Sequence, residues 1–303
     1  MQPSISYATP VPPPDDRLSH RRESPLPTRL ARTGQLADRS RAAVLEMIYR
    51  AGSGHVGSSL SCVDIISVLR FDQMNWSATR PRSESDVFIL SKGHAAPAWY
   101  ASLMVGGDLG PEEVGTLRQI DSRLQGHPDR TRLDLVDLST GALGQGLSVA
   151  VGRAQAKRLR GRGDFVYCLA GDGELQEGQI WEAVTVAGAR RLANVVLVVD
   201  HNGSQNDGLL SEIMPLAGLA ERFRAFEWHV QDVNGHSHLS LMDALANARD
   251  NQAQPSVVIA RTRKGHLGPG RIALNGSHSA TLTTEEYESA MRYLEGRRDE
   301  SHP

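Results

Sequence analysis

Two polar tips at the ends of apolar runs carry the plainest chemistry in this chain. The run Phe165-Val166-Tyr167-Cys168-Leu169-Ala170 stops at Gly171-Asp172-Gly173, and a second run, Val195 to Val199, stops at Asp200-His201-Asn202. The Asp172 carboxylate and the Asn202 amide oxygen are hard donors suited to Mg²⁺ or Ca²⁺, and the glycines beside Asp172 let a phosphate approach the backbone. A metal-bound diphosphate is the ligand such tips are built to hold. Three histidines stand in comparable loops: His55 in Ser53-Gly54-His55-Val56-Gly57, His94 in Ser91-Lys92-Gly93-His94 and His127 in Gly126-His127-Pro128. Imidazoles so placed can hydrogen-bond a substrate and move protons near neutral pH. Each feature alone has a plain structural reading, as a turn, a loop or a tightly packed helix start.

The elements around them must bring the tips together. Short β-rich runs separated by a helix-length segment read as strand, crossover helix and strand of a parallel sheet, which exposes their carboxyl ends at one edge. Ligands of open α/β sheets bind at that edge. Further strands are predicted at Asp86–Leu90, around His229-Val230 and at Val257–Ala260, and helices at Leu216–Phe226, Leu239–Ala248 and Thr283–Leu294. A first helix, with Leu36, Ser40, Ala43, Val44, Met47 and Ile48 on one stripe, is predicted to begin near Gly34 and to end at Ala51-Gly52. Residues 1–33, rich in Pro and Arg, are predicted to form a disordered tail. One α/β domain is then expected over residues 34–303. Glu174 and Glu177 read as carboxylates at a helix start, and the Gly-containing stretch Lys264 to His278 reads as a mobile active-site loop.

At 303 residues the chain can bury a large core without staples, and its net charge of -2 with no long charged run argues against nucleic acid or a membrane as partner. Cys62 and Cys168 both lie in apolar runs, as buried thiols of a reducing compartment do. With no signal-like N-terminus and no stretch long enough to span a bilayer, the expected location is the cytoplasm.

The order Ser-Gly-His, Lys-Gly-His, Gly-His-Pro, Gly-x-Leu-Gly-Gln-Gly, Gly-Asp-Gly-Glu-Leu-Gln-Glu-Gly and Asp-x-Asn-Gly resembles the N-terminal half of transketolase. The likeness is greatest to the stand-alone N-terminal subunit of two-chain transketolases, over about Gly34 to Ala260. It implies a thiamine-diphosphate (ThDP) binding α/β fold, a mostly parallel sheet with helices on both faces. By the same resemblance Asp172, Asn202 and the carbonyl of Ser204 would hold Mg²⁺ (or Ca²⁺). Gly141, Leu143, Gly173, Glu177 and Asn202 would meet the cofactor, and Glu177 with Glu182 would form an acidic pair near the subunit interface. His55, His94, His127 and His278 would act on the sugar. The implied reaction is two-carbon ketol transfer between sugars or sugar phosphates. The family's activating glutamate belongs to a pyrimidine-binding domain, so a C-terminal subunit is expected as partner, in a heterotetramer of two copies of each chain.

Two stretches depart from the family. Ser204 and Asn206 stand where apolar residues are usual, and Gly276-Ser277-His278-Ser279-Ala280-Thr281 replaces the usual Gly and Ala-Pro after the last histidine. A sugar or acceptor other than the common pentose phosphates is the expected consequence. Competing readings are another ThDP enzyme, of the 2-oxo acid dehydrogenase or 1-deoxyxylulose-5-phosphate synthase type, and a binding or regulatory protein that keeps the fold without catalysis.

Overall fold

The computed structural model describes residues 23–268, 271–272 and 281–300. The chain opens on α1 (Leu26–Ala51), whose N-cap is Pro25. The predicted tail is therefore wrong from Leu26 onward. Pro27 sits in the first turn, where a missing N–H costs nothing. What holds this turn is tertiary: the Arg29 guanidinium grips Asp72 in two hydrogen bonds of 2.6 and 2.8 Å, and Thr33 is buried. Two short helices follow, α2 (Val56–Ser61) and α3 (Val63–Val68), then β1 (Val87–Leu90) and α4 (Ala96–Val105). After an irregular segment come α5 (Gln145–Leu159), β2 (Val166–Gly171), α6 (Gly178–Ala189) and β3 (Val195–His201). A short hairpin, β4 (Ser204–Gln205) with β5 (Gly208–Leu209), leads to α7 (Leu210–Ile213) and α8 (Leu219–Ala225). The chain continues through β6 (His229–Asn234), α9 (His238–Asp250), β7 (Ser256–Arg261), the pair β8 (His266–Gly268) and β9 (Arg271–Ile272), and α10 (Thr284–Glu300).

The main sheet has the order β1-β2-β3-β7-β6, and every pair in it is parallel. Strand residues alternate between two cores, as a period of two requires. Phe88, Leu90, Tyr167, Leu169, Val196, Val198 and Val258 face α1, α3, α4, α9 and α10. Val87, Ile89, Val166, Cys168, Val195, Leu197 and Val257 face α5, α6 and α8. The sheet is thus covered on both faces, which is why its strands are continuously apolar rather than alternating. Register aligns Gly171 with Asp200, so the segments after β2 and β3 leave the sheet side by side. Cys62 and Cys168 are buried and free. Among the described residues no helix is long and apolar enough to cross a membrane.

Candidate active site

A cleft of about 240 Å³ opens at the carboxyl ends of β2 and β3. Asp172, Gly173, Glu177, Asn202, Ser204, Leu143 and His94 all line it. The two strand tips thereby put three oxygen donors, from Asp172, Asn202 and Ser204, around one space. That donor set fits a hard divalent cation. Asp172 is 1% exposed, and burial, then the nearby Asp200 carboxylate, raises its proton affinity. A divalent cation reverses both penalties. Asp172 accepts the backbone N–H of Gly173 (2.8 Å) and of Gly203 (2.6 Å), and Asn202 Oδ1 accepts that of Ser204 (3.1 Å), so the loop is folded around these side chains.

The three early histidines converge beside this cleft. The His55 ring lies 5.3 Å from that of His94 and 6.2 Å from that of His127, centroid to centroid. Gly141 lies against His127, 3.4 Å from its ring at the point where a Cβ would project. Burial first, then the charges of His127 and Arg118, lowers His55 to about 4. His127 is lowered as well, by burial and by Arg118. At neutral pH both rings are free bases able to take a proton. Glu177 and Glu182 are exposed, Glu182 on α6. His278 lies outside the described residues.

Behind the cleft stand residues that the sequence did not single out. Glu174, which reads as a capping carboxylate, is buried and accepts from the Ser91 hydroxyl and from the backbone N–H of Gly144 (2.9 Å) and Gly171 (3.2 Å). It ties the ends of β1 and β2 to the start of α5. Lys92 and Asp200 form an ion pair in which neither side chain exceeds 1% exposure. Burial is the largest influence on each and works against both charges, but the partner charge together with the surrounding charges and hydrogen bonds outweighs it, so Lys92 is held above and Asp200 below the usual range. Ser61 and Thr262 complete the hydrogen bonds of Asp200, at 2.6 Å from Ser61. Lys264 reaches the Gln205 carbonyl at 3.4 Å, and Gln176 donates to Gln205 at 2.8 Å, so both stand beside the cleft that Gln176 and Gln205 line. The signal for Lys92 and Asp200 was their place at strand ends; nothing local marks Glu174.

The family model described as "Transketolase, thiamine diphosphate binding domain" matches residues 33–300. The chain belongs to the transketolase family. It is 40% identical over 259 residues to SqwG, the 6-deoxy-6-sulfo-D-fructose transketolase subunit of Clostridium sp. (strain MSTE9), spanning 84% of this chain and 93% of that one. To one subunit of the apulose-4-phosphate transketolase of Phocaeicola vulgatus it is 33% identical, over 86% of this chain and 93% of that one. The crystal structure of transketolase from Campylobacter jejuni superposes with a TM-score of 0.79 and 32% identity, over 87% of this chain but 42% of that one. Within the transketolase family the chain therefore matches the short N-terminal subunits nearly end to end and the one-chain enzymes over less than half. It is a transferase subunit of that short kind, with the family's ThDP-binding fold.

Proposed function

We propose that this chain is the N-terminal, cytoplasmic half of a two-chain transketolase that takes ThDP with Mg²⁺ and moves a two-carbon ketol unit from a ketose to an aldose. The observation that carries the reading is the single cleft in which Asp172, Asn202, Ser204 and His94 meet at the ends of β2 and β3. When bound, ThDP supplies the acidic carbon that opens the ketose carbon–carbon bond and carries the fragment to the acceptor. The chain's own residues do the rest. Asp172, Asn202 and the Ser204 carbonyl hold the metal, with Gly141, Leu143, Gly173 and Glu177 against the cofactor. Lys264 is buried close to Lys92, and its proton affinity is lowered by burial and then by Lys92, a cationic neighbourhood that favours a diphosphate. His55, His94 and His127 accept protons and hydrogen bonds from sugar hydroxyls, with His278 as a fourth.

A partner chain completes the site. Leu143, Leu209, Ile213 and Met214 are between 37% and 53% exposed around the mouth of the cleft, where Met214 offers its carbonyl to Gln176. Apolar side chains gathered at a functional edge favour a protein interface. The pyrimidine-binding C-terminal subunit fits there, in a heterotetramer. For the donor, the two short relatives are named for a sulfo-sugar and for a sugar phosphate. Arg118, exposed and close enough to His55 and His127 to lower both, offers a guanidinium to such an anionic end.

The test is reconstitution. The chain, its C-terminal partner, ThDP and Mg²⁺ are assayed together and singly against 6-deoxy-6-sulfofructose, apulose 4-phosphate and the common pentose phosphates. Ketol transfer by the pair on a sulfo- or phospho-ketose is the expected result. Turnover by this chain alone sinks the partner, high activity on pentose phosphates sinks the unusual donor, and no turnover by the pair on any ketose sinks the reading.

A further inference from the structure

A second and larger cavity, of about 710 Å³, lies beyond β7 and β6 and shares no lining residue with the cofactor cleft. Arg41 reaches it from α1, Asp64 from α3, His236 and His238 from the turn into α9, and Arg263 and His266 from the strap after β7. Asp64, His236 and His266 have donor atoms within 4.8 Å of one another, the spacing of a metal centre. Their hydrogen bonds argue otherwise. Asp64 Oδ2 already takes Arg41 Nη2 at 2.5 Å and His236 Nδ1 at 2.8 Å, and Oδ1 takes His238 Nε2 at 2.9 Å. His236 Nε2 accepts the backbone N–H of Arg263 at 2.8 Å, so the proton of that ring is on Nδ1 and is donated to Asp64. A cation here must displace a guanidinium from its carboxylate, at the cost of a broken buried pair.

Positive charge is instead in excess. Four arginines line the cavity against two aspartates. Arg41 bridges Asp38 and Asp64, Arg297 reaches Asp38, and Arg261 is held by Asp232. Arg263 has no side-chain partner among the described residues, and neither ring nitrogen of His266 has one. The His266 ring stacks on His236 at 3.6 Å between centroids, and burial, then His236 and Arg41, lowers it to about 3. Such a field is what a bound anion relieves.

We propose that this cavity binds a small tetrahedral oxyanion of the phosphate or sulfonate class, held chiefly by Arg263 and His266. Arg41, His236 and His238 are already committed to Asp64, so the donors left facing the space are the Arg263 guanidinium and the His266 ring, both on the strap, and an oxyanion with several acceptor oxygens can take a hydrogen bond from each. Arg263 is exposed, so its replacement leaves the fold intact, and neither residue belongs to the cofactor cleft.

The full chain is titrated calorimetrically with inorganic phosphate and, separately, with methanesulfonate, each with and without ThDP and Mg²⁺. One equivalent of either anion is expected to persist with the cofactor present. Arg263→Gln and His266→Gln are each expected to weaken that equivalent by roughly tenfold, the loss of one hydrogen bond to a charged group. The His266 ring resonances are expected to shift with the same titration. Binding that ThDP displaces entirely, or that both variants retain unchanged, overturns the site. So does binding of Zn²⁺ that depends on His266 in a chain that takes up neither anion.

Discussion

His55 owes its low proton affinity first to burial and then to the positive charges of His127, Arg118, Lys264 and Lys92. Because its folded value of about 4 lies below that of a free imidazole near 6.5, the neutral ring is the form that folding favours. The stability it contributes is complete above about pH 6.5 and is lost as pH falls toward 4. His55→Asn is therefore expected to flatten the fall of melting temperature across that window, followed by thermal denaturation from pH 4 to 8. In the reconstituted enzyme His55→Ala is expected to slow turnover by about 10²- to 10⁴-fold, the usual worth of one acid–base group, as initial rates at saturating sugar will show. Asp172→Ala removes the only carboxylate in the set of three donors. Calorimetry with Mg²⁺ and ThDP is expected to show no metal-dependent cofactor binding, while the melting temperature changes little, because relief of a buried carboxylate with raised proton affinity offsets the acceptor lost by the Gly173 and Gly203 N–H groups. These side chains were legible in the sequence because glycines and strand ends surround them.

Glu174 works at the scale of elements, and it was not legible. A capping carboxylate and a buried clamp look alike in sequence; only the folded chain brings Ser91 and Gly144 to it. Glu174→Ala leaves two buried N–H groups without an acceptor and is expected to cost about 3 kcal/mol, read from urea unfolding. The start of α5 depends on the same contacts. Gly144 has φ +84°, and a Cβ there would stand 2.8 Å from Glu177 Cβ; at Gly146 a Cβ would meet the Ser91 backbone at 2.9 Å and its side chain closer still. Gly146→Ala must push α5 off the end of β1. A loss of about 1–3 kcal/mol is expected, together with weaker ThDP binding, since Leu143 and Gly144 move with the helix. The pair Lys92–Asp200 escaped the sequence for the same reason as Glu174, being joined across 108 positions of chain.

For the molecule as a whole, apolar runs and their periods revealed the parallel sheet and both helical layers, because burial on two faces leaves strands that admit few other readings. The start of α1 was misplaced because its first turns are held by Arg29, Asp72 and Thr33 rather than by an apolar stripe. Composition sees stripes; it does not see a salt bridge to a distant loop. The register that sets Gly171 against Asp200 has one further result. The two strand tips are fixed in space by neighbouring strands, while the sequence between them runs out through α6 and back through an exposed turn at Arg190-Arg191. Separation along the chain is thus free to drift while separation in space is not. Two glycines inserted between Arg190 and Arg191 are expected to leave ThDP binding intact, whereas one residue inserted within Val196–Val199 turns every later side chain of β3 to the opposite face and abolishes it. Evolution can lengthen the thread between Asp172 and Asn202 without moving either knot.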